Sequence, residues 1–256
     1  MHRLVQAVVQ HALAVDDQQL WAAAALRLVH EAFPTDPTDP DVWPARAQLL
    51  PHALAVTGLQ EAALIAPVTA SSLLKAAGLY LRQRADYQQS RILVERALAI
   101  RETHLGPDHP RTAASLHDLA AVLADQGDLA GARTLLERAL TVYEASVDPD
   151  PPDTADTLNS LAAVVFMQGD LDRARLLQER ALAILEAHLG PDHLRTATSL
   201  NNLAGVLADQ GDLAGARTLL ERALAIREAR LGPDHPHTSS SRESLVAVVA
   251  ELGNRE

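Results

Sequence analysis

The 256-residue chain contains no cysteine, so it can form no disulfide and can use no thiolate as a nucleophile or metal ligand. That suits a reducing compartment, and the expected location is cytoplasmic. Aromatic residues are only 3% although hydrophobic residues are 48%. The apolar content is therefore mostly alanine and leucine, which favour helices over the β-branched and aromatic packing of sheets. Lys75 is the only lysine; arginine supplies almost all the positive charge, and the formal net charge is -11. An acidic balance of this size argues against nucleic acid and against an anionic membrane surface as partners. No apolar run approaches the roughly 18 residues of a membrane helix. The opening stretch "MHRLVQAVVQHALAV" has neither the apolar core nor the cleavage site of a secretory leader.

What the chain does contain is repetition. "LADQGDLAGARTLLERAL" occurs from Leu123 to Leu140 and again, letter for letter, from Leu207 to Leu224. The starts are 84 residues apart, and half of that, 42, governs other positions: Glu95, Glu137, Glu179 and Glu221, or Thr112, Thr154, Thr196 and Thr238. A fixed period in this range is the signature of a repeat array. Each period carries two helical patterns. Leu200, Leu203, Ala204 and Leu207 share one face of a first helix, and Ala216, Leu219, Leu220, Ala223 and Leu224 one face of a second. Gly211 suits the left-handed residue that ends the first helix, and Asp212 the cap of the second. In "LGPDHP", Gly232 stops the second helix, Pro233 and Pro236 prevent its continuation, and Asp234 is expected to cap the next. Neither helix can bury its stripe alone, but stacked hairpins can. Arginine precedes glutamate by four in every second helix, as in Arg91/Glu95 and Arg217/Glu221, which marks a solvated face.

Catalytic signatures are absent from the sequence: there is no HExxH, no Gly-x-Ser-x-Gly and no GxxxxGK[ST]. His109, His193 and His235 recur beside Asp108, Asp192 and Asp234. Because they follow the repeat, successive copies are displaced by a whole hairpin and cannot converge on one metal ion, so capping and loop packing are their expected roles. No enzyme activity, metal or cofactor is expected.

The positions Leu200, Leu203, Ala204, Leu207, Gly211, Ala216, Leu220 and Ala223 resemble the signature of tetratricopeptide repeats, and the 42-residue period with "LGPDHPxT" resembles the kinesin light chain type. The resemblance covers residues about 64 to 256. It implies an all-α, right-handed superhelical solenoid of antiparallel helix hairpins. The repeats would occupy 64–105, 106–147, 148–189 and 190–231, followed by a single capping helix at 232–256. The first copy is the most divergent, with Ala85 for the turn glycine and Ser90 for the small alanine. Residues 1–63 are expected to be a helical segment. "MHRLVQAVVQ" is similar to the end of the winged-helix region of bacterial STAND (NB-ARC-type) NTPases, and "LRLVHEAFPTDPTDPDVWPARAQLLPHALAV" to the linker after it; this stretch can also be aligned as a degenerate repeat.

In the resembled family the first helices line a concave face that holds a peptide or partner surface. Helical spacing assigns the lining positions here: Lys75 and Arg82, then His117 and Asp125, then Asn159, Phe166 and Met167, then Asn201 and Asp209. Asn159 and Asn201 resemble the groove asparagines with which the family clamps a peptide backbone, each offering a donor and an acceptor. Phe166 and Met167 form an apolar step among polar neighbours, a candidate anchor. Lys75 and Arg82 near the N-terminal end and Asp125 and Asp209 further along suggest a charge gradient that would favour an acidic ligand near that end. The expected function is protein–protein recognition, in a STAND-like setting as the sensor arm. The alternative is a spacer or self-association scaffold whose array ends pair with another chain.

Overall fold

The computed structural model describes residues 14–34, 42–58, 64–146 and 151–254. The stretch likened to a winged helix, the middle of the linker and the start of "VDPDPPDT" lie outside them. Every regular element among the described residues is an α-helix. The chain divides into two compact units, Met1–Gln126 and Gly127–Glu256.

The first unit contains α1 (Val15–Ala32), α2 (Trp43–Thr57), α3 (Pro67–Gln83), α4 (Tyr87–Leu105) and α5 (Pro110–Asp125). Successive helices pack on each other, except that α1 and α2 also both reach α3. Their shared core includes Leu26, Phe33, Ala53, Leu73, Leu74, Ala77, Leu93 and Ala97. The second unit contains α6 (Leu129–Ala145), α7 (Pro151–Met167), α8 (Leu171–Leu189), α9 (Leu194–Asp209), α10 (Leu213–Leu231) and α11 (Pro236–Gly253). Here α7 packs on α8, α9 on α10 and α11 on α10, with α8 also against α9. Leu203, Ala204, Leu207, Ala216 and Leu220 form one core with Val248 of α11, and Ala197, Leu200, Ala223 and Ile226 another. The expected stripes are therefore the buried faces.

Local chemistry explains the hairpins. Gly127, Gly169 and Gly211 end first helices at φ of 83°, 86° and 88°, a region open to glycine without steric cost. Ala85, at the corresponding place in the first repeat, adopts φ 59° despite its Cβ. The next helix then starts on an aspartate: the carboxylates of Asp86, Asp128, Asp170 and Asp212 accept from the backbone N–H three residues on.

The start of the first helices differs from expectation. The cap is histidine, not Asp234 or its equivalents. Nδ1 of His109, His193 and His235 accepts from the N–H of Arg111, Arg195 and His237 at 3.0, 3.1 and 3.2 Å. The cap is the residue just before the first helical position, here Pro110, Leu194 or Pro236, and a side chain there meets the N–H two positions on. The aspartate stands one residue too early. Thr112 and Thr196 close the same loop by donating to the carbonyls of Gly106 and Gly190, at 2.8 and 2.9 Å.

Small residues set the spacing between paired helices. Ala204 and Ala216 are fully buried. The first repeat uses Gly78 and Ser90 instead. Ser90 is buried and donates to the Gly78 carbonyl at 2.8 Å, and a Cβ built on Gly78 would lie 2.6 Å from Cγ2 of Val94.

Candidate functional site

The outward positions of the first helices follow from the packing ones. In α5, Leu116, Leu119, Ala120 and Leu123 are buried, which leaves His117 half-buried and Asp125 exposed on the other side. The same rule leaves Lys75 and Arg82 half-buried on α3, Asn159 and Phe166 half-buried on α7 with Met167 exposed, and Asn201 half-buried on α9 with Asp209 exposed.

In the first unit the charges are not separated. Lys75 Nζ lies 2.8 Å from Asp118, and Arg82 Nε lies 2.5 Å from Asp125. Both pairs join α3 to α5. The expected gradient of open cations is thereby corrected: each cation is answered by a carboxylate of the adjacent first helix. Both pairs are separated by 43 residues, one more than the repeat, a signal available in the sequence. Half-exposed pairs of this kind contribute about 0–1 kcal/mol to stability, so their larger effect is on the face's charge.

In the second unit the asparagines are partly engaged. Asn159 Oδ1 accepts from Ser199 Oγ at 3.2 Å, and Asn201 Oδ1 accepts from Ser241 Oγ at 3.1 Å. Each bond links one first helix to the next. Neither Nδ2 has an acceptor among the described residues, so each asparagine keeps its N–H donors unpaired while its oxygen is held by a serine of the next first helix. Asn201 has a further support. Arg227 Nη1, on α10, donates to Ser241 Oγ at 2.6 Å and to the His237 carbonyl at 3.0 Å, and Nη2 donates to Thr198 Oγ1 at 3.4 Å. Ser241 therefore relays a charge-assisted bond to Asn201. Burial lowers the pKa of the Arg227 guanidinium from its ordinary value, and its hydrogen-bond partners are all uncharged. The preceding repeat has Leu185 at this place, but the first repeat has Arg101, 126 residues earlier, which binds Ser115 and the Arg111 carbonyl in the same way.

Met167 is 53% exposed, one of the more exposed large apolar side chains of the unit, and Phe166 precedes it half-buried. Asp209 stands at the corresponding place on α9 and has no ion-pair partner among the described residues. The opposite, second-helix side carries ladders of charge. The four i,i+4 pairs have N–O distances of 2.7–2.9 Å. Arg173–Glu137, Arg180–Glu144 and Arg222–Glu186 link successive second helices.

A sequence profile described as tetratricopeptide repeat matches residues 68–145, 117–187, 153–229 and 195–256. Among curated proteins, nephrocystin-3 of Homo sapiens and of Mus musculus are each 44% identical over 52 residues, 20% of this chain and 4% of theirs. The chain thus spans only a small part of the length of those relatives. Among solved structures, a Podosopora anserina kinesin light chain protein with nearly identical TPR-like repeats superposes with a TM-score of 0.65 at 23% identity, over 80% of this chain and 95% of that one. BtubC (BKLC) of P. vanneervenii superposes at 0.65 with 22% identity, over 94% and 85%. At these identities the likeness is one of fold: an all-helical stack of hairpins of the tetratricopeptide solenoid class.

Proposed function

The chain belongs to the tetratricopeptide repeat family, and from that premise we propose that it recognises an extended segment of a protein partner on the first-helix face of its second unit. The carrying observation is that the unpaired N–H donors of Asn159 and Asn201 stand on first helices, α7 and α9, of which α7 also carries the exposed Met167 and half-buried Phe166. The asparagines donate to backbone carbonyls whatever the side chains, each bond contributing about 0.5–1.5 kcal/mol. Met167 and Phe166 receive one apolar side chain, and the open carboxylate of Asp209 favours a basic residue nearby. The likeness of residues 1–10 and 26–56 to the segment that precedes repeat arms in STAND-type NTPases supports a further placement: this is the sensor arm of such a cytoplasmic signalling ATPase.

Selection from a random peptide library, followed by calorimetry with the enriched peptide, tests the reading. The wild type is compared with Asn159→Ala/Asn201→Ala and with Met167→Ala, circular dichroism establishing that each folds. A loss of about ten-fold or more in either variant is expected, equivalent to about 1.4 kcal/mol. No enrichment, or equal binding by all three proteins, refutes it.

One observation favours a scaffold role as well. Val246 and Val249 of α11 are 63% and 44% exposed, an apolar strip on the last described helix. Concentration-dependent association in light scattering, lost in Val246→Asp, would support that second reading.

A further inference from the structure

A 370 Å³ cavity opens in the first unit where the start of α3, the end of α4 and the start of α5 meet. Its polar lining includes Ser71, Lys75, Arg101, His104 and Arg111, and no carboxylate is among the lining residues. In a chain of net charge -11, that local balance is the reverse of the chain's overall sign. The basic groups are not alike. Arg101 is buried, at 9% exposure, and fixed: Nη1 donates to Ser115 Oγ at 2.7 Å and to the Arg111 carbonyl at 3.0 Å, with Nε 3.4 Å from Ser71 Oγ. Lys75 arrives already paired with Asp118, so it adds a positioned donor more than an open charge. The side chains of Arg111 and His104 have no partner among the described residues.

The repeat itself does not require a cation at the Arg101 position. The corresponding residues 42 and 84 further on are Tyr143 and Leu185, both buried, while 126 further on Arg227 returns and binds Ser241 and the His237 carbonyl as Arg101 binds Ser115 and the Arg111 carbonyl. Apolar or aromatic side chains fill that packing role in two repeats; where the guanidinium stands it braces the next first helix, and at Arg101 it also places a fixed positive charge beside the cavity. Apart from Ser72 the remaining wall is apolar, with Val68 and Ile100 among its members. The volume is at the small end of the range for organic ligands and too small for an extended peptide.

We propose that this cavity is a binding site for a small organic anion. Its carboxylate or phosphate head is held by Arg101, Arg111 and Lys75, and its short apolar stem lies against Val68 and Ile100. The site stands independently of the peptide face: of the residues assigned to that face, it shares only Lys75.

The test is calorimetric titration of the full chain with butyrate and with butyl phosphate, which share a stem and differ in the head, against sodium chloride at matched ionic strength. Saturable one-site binding of at least one of them, absent with chloride, is expected. Arg111→Ala should weaken it about ten-fold, the loss of one charge-assisted hydrogen bond. Arg230→Ala, an exposed arginine of the second unit, and Asn201→Ala should leave it unchanged. The preferred probe then identifies the head as carboxylate or phosphate. Heats no different from chloride, or undiminished binding by Arg111→Ala, overturn the assignment, whatever the outcome at the peptide face.

Discussion

Gly78 of α3 packs directly against Ser90 and Val94 of α4, and the other repeats carry alanine there, at Ala120, Ala162 and Ala204. Gly78→Ala would thus restore the repeat's own residue. Helix propensity alone predicts a gain of about 0.8–1 kcal/mol. The structure predicts a loss. A Cβ on residue 78 would lie 2.6 Å from Val94 Cγ2, 3.3 Å from the Ser90 carbonyl oxygen and 3.4 Å from Leu93 Cβ. Val94 is buried, and a β-branched side chain cannot easily turn its methyl away. Overpacking of this kind costs about 1–3 kcal/mol, which leaves a net loss of about 1 kcal/mol after the propensity gain. The residues equivalent to Val94 are Leu136, Gln178 and Leu220, none branched at Cβ, which explains why alanine is tolerated opposite them. Introduced into a Val94→Leu background, Gly78→Ala should therefore become neutral or stabilising. The cycle of four proteins, followed by urea unfolding with circular dichroism, should show a coupling of about 1–3 kcal/mol. A stabilisation by the full propensity gain with Val94 in place, or additive effects in the cycle, would refute the packing argument.

Two further outcomes are expected. Ala85→Gly should raise stability by about 0.5–1 kcal/mol, because Ala85 holds φ 59° where its counterparts are glycine; an unchanged unfolding midpoint would count against it. His193→Ala should cost about 1 kcal/mol by removing the acceptor of the Arg195 N–H, while His193→Asn should retain most of the stability; equal losses in both would show that the imidazole acts through packing and not as a cap.

The hairpins were legible in the sequence because their causes are local. Apolar spacing within one helix, a residue free to adopt positive φ at Gly211 and a carboxylate at Asp212 fix each hairpin within about forty residues, and the 42-residue period multiplies any signal fourfold. The cap of the first helices was legible only to within one position, since Asp234 and His235 are both plausible acceptors until the first helical residue is known. The outward positions were also legible, because a residue opposite a buried stripe must face away from it. What those positions present was not. Whether Lys75 and Arg82 stand open or meet Asp118 and Asp125, and whether the asparagine oxygens face a ligand or Ser199 and Ser241, depends on how far one hairpin is staggered against the next. That stagger is set by contacts between hairpins, such as Arg101 of α4 with Ser115 of α5, which no single helix contains. The sequence by itself determined a stack of helix hairpins and which faces they bury. Only the tertiary structure decided which polar groups remain available, because pairing across helices is a matter of distances of a few ångströms between residues some forty positions apart.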